Sequence, residues 1–119
     1  MILADTSVWI EFFHKGNEDL ECLLDEGQVL MHPFILGELA CGVLEPRDQI
    51  LQDLTDMKQL GKARDEEVLY LLERHQLMGS GIGYLDAHLL ASVRLNEGVR
   101  LWTLDKKLAK VAERLLMVH

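Results

Sequence analysis

Four acidic residues, Asp5, Glu38, Asp86 and Asp105, stand in surroundings where a carboxylate needs a reason. Asp5 closes the apolar run Ile2-Leu3-Ala4. Asp105 follows the run Val99-Arg100-Leu101-Trp102-Thr103, one residue past its end. Glu38 has Phe34 at i−4, Ile35 at i−3 and Leu39 beside it, and Asp86 has Leu89, Leu90 and Val93 at i+3, i+4 and i+7. On helices, both belong to the apolar stripe. No Lys or Arg stands at i±3 or i±4 of either. Buried acids need a partner, and four converging acids would repel one another and resist ionisation. A hard divalent cation removes that cost. Carboxylate oxygens suit Mg²⁺ or Mn²⁺, and no His/Cys cluster competes for a softer metal. The chemistry natural to such a site is phosphodiester hydrolysis.

The elements that must carry these acids alternate between strand and helix. Residues 2–4 read as a buried strand. Thr6 or Ser7 is placed to cap a helix through Trp9, Phe12 and Phe13. A second helix spans 18–25, with Gly27 after its end. Gln28 to Met31 read as a strand, and Pro33 opens a helix over 34–43. Pro46 opens another to about Met57. Asp65 caps a helix through Leu77, and 84–96 form a further helix ended by Gly98. Val99 to Thr103 form a strand, 106–114 a helix, and Leu115 to Val118 a last strand. No strand is assigned between Met57 and Gly81. Apolar strands between helices predict a mainly parallel α/β sheet. In such sheets sites lie beyond the carboxyl ends of the strands, where Asp5 and Asp105 fall.

Composition narrows the function classes. The length fits one domain, residues 1–119, and 49% hydrophobic residues argue against disorder. No apolar run reaches the ~20 residues that span a bilayer, so no membrane association is expected. The N-terminus turns acidic too early for a signal peptide. Cys22 and Cys41 match no metal or redox spacing and read as buried, reduced thiols of a cytoplasmic protein. A net charge of −8 excludes coating nucleic acid by bulk charge. A nuclease with a local basic strip remains compatible with it.

The order of the short motifs resembles the PIN-domain family, and closely its VapC-type toxins. The likeness covers Asp5-Thr6-Ser7, His32-Pro33-Phe34 leading to Gly37-Glu38-Leu39, the stretch Gly81-Ile82-Gly83-Tyr84-Leu85-Asp86-Ala87-His88-Leu89-Leu90-Ala91-Ser92, and Thr103-Leu104-Asp105. The resemblance implies a three-layer α/β/α sandwich with a central mainly parallel sheet. It implies a Mg²⁺/Mn²⁺-dependent endoribonuclease using Asp5, Glu38, Asp86 and Asp105. It also implies homodimers and a small antitoxin partner whose tail covers the site. Many relatives carry a further acid where this chain has Lys107, which bears on a second metal rather than the first.

Other residues are candidates for support. Thr6 and Ser7 could orient Asp5 or a water, or simply cap the helix; Thr103 could hold Asp105. Lys106, Lys107, Lys110 and Arg114 share one side of the last helix, as an RNA-guiding strip or a solvated face. His88 reads as a solvent or dimer-contact residue, and His14 and His32 receive no role. Trp9, Phe12 and Phe13 form an aromatic cluster, part core and part a seat for an amphipathic antitoxin helix. The loop 79–83 lacks the Lys-Ser/Thr ending of a phosphate loop and reads as a lead into the helix of Asp86.

Three alternatives stay open at this point. A phosphoaspartate enzyme or receiver would use Asp5, but Ser7 stands where the phosphatase version wants a second Asp, and Glu38 and Asp86 go unexplained. A non-catalytic binding module would leave the four acids unused. A housekeeping RNA-processing nuclease would share the chemistry and differ only in biology.

Overall fold

The computed structural model describes all 119 residues. Three strands, β1 (Ile2–Ala4), β2 (Val29–Leu30) and β3 (Arg100–Trp102), form one sheet in the order β2-β1-β3. Both pairings are parallel, with Ile2 opposite Val29 on one side and Ala4 opposite Trp102 on the other. Consecutive β1 residues point to opposite faces, and Ile2, Leu3 and Ala4 are all buried. Both faces of the sheet are therefore covered, as the expected α/β sandwich requires.

Seven helices supply that cover: α1 (Thr6–Lys15), α2 (Glu18–Asp25), α3 (Pro33–Ala40), α4 (Arg47–Asp56), α5 (Asp65–Arg74), α6 (Tyr84–Arg94) and α7 (Lys106–Arg114). Helix α6 is the central one. Every residue from Ala87 to Val93 is buried, which a one-sided amphipathic helix does not allow. Leu3, Leu90, Leu101 and Leu108 are fully buried and tie β1, α6, β3 and α7 into one core. No helix is long and apolar enough to cross a membrane.

Several expectations need correction. Asp5, not Thr6 or Ser7, caps α1: its carboxylate accepts from the Ser7 and Val8 amides, so a charged acceptor displaces the neutral hydroxyls. Helix α3 ends at Ala40 rather than residue 43. Asp65 is the first residue of α5 rather than its cap, and that helix ends at Arg74. The last strand is reduced to a parallel bridge between Leu101 and Val118. A matching bridge joins Met31 to Gln59, inside the region where no strand was assigned. Contacts of one residue leave no periodicity to read. Cys22 and Cys41 are free but exposed, not buried.

Candidate active site

The register of the sheet builds the centre of the site. Ala4 lies opposite Trp102, so the next residues on each strand, Asp5 and Thr103, emerge side by side at the carboxyl edge. The Asp5 amide donates to the Trp102 carbonyl at 2.9 Å, and the Thr103 hydroxyl donates to Asp5 Oδ2. Asp5 Oδ1 accepts from the Ser7 amide at 3.0 Å and from the Ser7 hydroxyl. Ser7 Oγ in turn accepts the Leu104 amide at 2.9 Å, and Thr103 Oγ1 accepts the Asp105 amide at 3.0 Å. Asp5 is only 6% exposed, and its carboxylate is held from both sides.

Asp105 ends the same edge and caps α7, accepting from the Lys107 and Leu108 amides at 2.9 and 3.1 Å. Asp86 sits in the first turn of α6, where its Oδ2 accepts the Gly83 amide at 3.2 Å. Asp5, Asp86 and Asp105 thus all lie at helix N-termini, where backbone N–H groups favour negative charge. Glu38 arrives on α3. It is exposed rather than on the apolar stripe, because Ile35 and Leu39 make the buried face of α3 and Glu38 falls beside it. The Thr6 hydroxyl donates to Glu38 Oε1 at 3.1 Å. Thr6 therefore serves Glu38, while Ser7 and Thr103 serve Asp5.

The four acids share one electrostatic neighbourhood. Burial pushes the Asp86 carboxyl above the usual carboxylate range; the Gly83 hydrogen bond partly opposes this, and the charges of Asp105, Asp5 and Glu38 push it further up. The side chains are not drawn to one point, and no group of three His, Cys, Asp or Glu residues is set at metal-holding geometry. Asp105, Asp5 and Glu38 lie within Coulombic reach of Asp86. The donor set fits a hard, oxygen-seeking divalent cation, since it offers carboxylates and hydroxyls and no thiol.

The basic strip divides. Lys107, Lys110 and Arg114 line one cavity with Ser80, without Lys106. The Lys107 side chain lies along Gly81, where an added Cβ would come within 2.7 Å of Lys107 Cδ. Gly81 also has φ +90°, which favours glycine on backbone grounds.

Two histidines escape the sequence reading. His32 is fully buried and caps α3, accepting the Phe34 amide at Nδ1 (3.0 Å), while Nε2 meets Ser92 Oγ on α6 at 3.1 Å. Burial, with help from His88 and Lys62, pushes its pKa down to about 4. His88 is buried, not solvent-facing. Its ring sits edge-on to Phe34 and Tyr84, and Nε2 contacts Asp65 Oδ1 at 3.0 Å. The Pro33 start of α3 was a usable signal for the cap, because the residue before an N1 proline is the cap position. The pairing of His88 with Asp65 is tertiary and had no local signal.

The family described as PIN domain matches residues 2–114. The protein named Ribonuclease VapC32, from two strains of Mycobacterium tuberculosis, is 44% identical over 108 residues, 91% of this chain and 87% of the relative. The crystal structure of PAE2754 from Pyrobaculum aerophilum superposes with a TM-score of 0.64 at 14% identity, over 97% of this chain and 94% of that one; it attests the fold. With the family match running through nearly the whole sequence and a VapC relative aligned over most of both chains, this chain belongs to the PIN-domain family, among its VapC-type members.

Proposed function

We propose that the chain is a Mg²⁺- or Mn²⁺-dependent endoribonuclease and the toxin of a toxin–antitoxin pair. The observation that carries the reading is Asp86, a half-buried carboxyl pushed upward by burial and then by the charges of Asp105, Asp5 and Glu38, which stand at the N-terminal ends of α7 and α1 and on α3. A fold that gathers such charge at one sheet edge has a use for a cation there. The 44% identity to a protein named as a ribonuclease supports the substrate. Asp5, Glu38, Asp86 and Asp105 would hold the ion, which when bound supplies Lewis acidity for phosphodiester hydrolysis.

The remaining work falls to the chain's own groups. Ser7 and Thr103 fix Asp5 in place from opposite sides. Thr6 directs Glu38 toward the same edge. The Gly83 amide and the α7 amides hold Asp86 and Asp105 as hydrogen-bond acceptors. Lys107 and Lys110, on the helix that Asp105 caps, would receive backbone phosphates. Ser7 in the place of a second Asp, and Glu38 and Asp86 left unexplained, speak against a phosphoaspartate role.

The partners follow from the same reading: RNA as substrate, a small antitoxin, and a second copy in a homodimer. Trp9, Phe12 and Phe13 pack on one another and, with Leu24, Ile50 and Met57, line an apolar cavity of about 360 Å³ that suits the apolar face of an antitoxin helix. The cytoplasm is the compartment this activity calls for. The test is RNA cleavage in Mg²⁺ or Mn²⁺ by the wild type, Asp5→Asn and Asp86→Asn. Cleavage by the wild type alone, with both variants folded, is expected; full activity in both variants defeats the reading.

A further inference from the structure

Half of the 12 Lys and Arg side chains of this net-acidic chain line two adjoining cavities. One, of about 560 Å³, is the Lys107–Lys110–Arg114 cavity of α7, which Glu113 also lines. The other, of about 440 Å³, lies between α5 and α6 and is lined by Arg64, Arg74 and Arg94 with Glu66, Glu67, Tyr70 and His75. Arg114 joins them by donating through Nη2 to the His75 carbonyl. Arg64 is offset by Glu66 and Glu67 at 3.4 and 3.3 Å, but Arg74, Arg94 and Arg114 make no salt bridge. All three are close enough to His75 to disfavour its protonation, beside the larger effect of its burial. Unpaired guanidiniums gathered around one side chain repel each other, and an anion relieves that repulsion.

The track has a direction. Asp86 lies in the first turn of α6 and Arg94 ends it, a separation of about 12 Å at 1.5 Å per residue. Asp105 caps α7 and Arg114 ends it, about 13 Å away by the same rise. Both helices therefore start at the acids and finish at the arginines, with Lys107 and Lys110 between. Tyr70, 67% exposed, adds an aromatic ring to the far cavity. Cations beside an exposed aromatic ring are what single-stranded RNA recognition uses, phosphates on the former and a base on the latter. An acidic peptide would satisfy the arginines but leaves unexplained why the basic track runs on to the carboxylate centre.

We propose that the groove formed by Tyr70, Arg74, Arg94 and Arg114 is a second RNA subsite, holding backbone phosphates a few nucleotides from the cleaved bond while a base stacks on Tyr70. The inference rests on the ribonuclease reading, and its test separates the two. Fluorescein-labelled random oligoribonucleotides of about four and about twelve nucleotides, bracketing common single-strand site sizes, are titrated with protein in EDTA and followed by anisotropy at several salt concentrations. The double variant Arg74→Gln/Arg94→Gln is expected to bind the longer RNA about tenfold more weakly, with the log–log salt slope reduced by about 1.4, from roughly 0.7 per lost phosphate contact. Its affinity for the shorter RNA stays unchanged. Tyr70→Ala is expected to lose about fivefold on the longer RNA with its salt slope unchanged. A wild type that binds the longer RNA while the double variant matches it in affinity and slope overturns the subsite alone. A wild type that binds neither RNA counts against the ribonuclease reading and the subsite together. A changed sedimentation mass in the double variant with unchanged RNA affinity assigns the groove to a second copy of the chain, against the proposal.

Discussion

Burial and three neighbouring carboxylates all disfavour the ionised form of Asp86. Its folded pKa lies above the ordinary value, so the folded state binds more protons than the unfolded state between the two, and stability falls as pH rises through that window. Asp86→Asn removes the charge and keeps an oxygen for the Gly83 amide. In EDTA its melting temperature is expected to equal or exceed that of the wild type, as differential scanning calorimetry would show; a marked decrease would mean that the carboxylate stabilises the fold. Thr103 has the opposite character, since its hydroxyl donates to Asp5 and accepts from the Asp105 amide. Thr103→Val should cost about 1–3 kcal/mol in urea unfolding, because it leaves buried groups without their partner. Cleavage should also fall as Asp5 loses its anchor, and unchanged stability and rate would show the hydroxyl to be idle. Asp5 and Asp105 are legible in the sequence because each closes an apolar run. The exposure of Glu38 is not, because α3 is apolar enough around its circumference that spacing alone leaves its buried face undecided.

Among the elements, α3 and α6 must keep a fixed relation, since one carries Glu38 and the other Asp86. His32 supplies part of it by capping α3 and reaching Ser92 on α6. Its pKa is pushed down to about 4 by burial, with His88 and Lys62 adding to the effect. The unfolded chain therefore binds more protons between the ordinary histidine value and about 4, and stability is lost as pH falls through that range. His32→Asn keeps a capping side chain without the titration. Its melting temperature is expected to vary less between neutral and mildly acidic pH than that of the wild type, and identical pH profiles would remove His32 from this role. The helices themselves are readable in advance because prolines, glycines and apolar spacing mark them: α7 spans the expected residues 106–114, and α2 the expected 18–25. The sheet is legible only in its middle. Of its outer pairings, Leu101 with Val118 falls at the end of the expected last strand, shortened to one bridge, while Met31 with Gln59 is created by tertiary packing where no strand-like stretch was read.

At the scale of the molecule, the chain gathers four of its 20 acidic residues around the carboxyl edge of a parallel sheet. The three-layer arrangement makes this possible, because parallel strands place all their carboxyl ends, and the helix N-termini that follow, on one edge. In solution the chain is expected to sediment at twice its own mass as a homodimer; a monomer at micromolar concentration would contradict that. The central claim is that Asp5, Glu38, Asp86 and Asp105 act together on one divalent ion. Calorimetric titration of Mn²⁺ into the wild type and into Asp86→Asn addresses it without any substrate. Saturable binding by the wild type, weakened at least about tenfold in the variant, as loss of a ligating carboxylate requires, is the predicted result. Equal affinity in the two proteins, or no binding by the wild type, would contradict it.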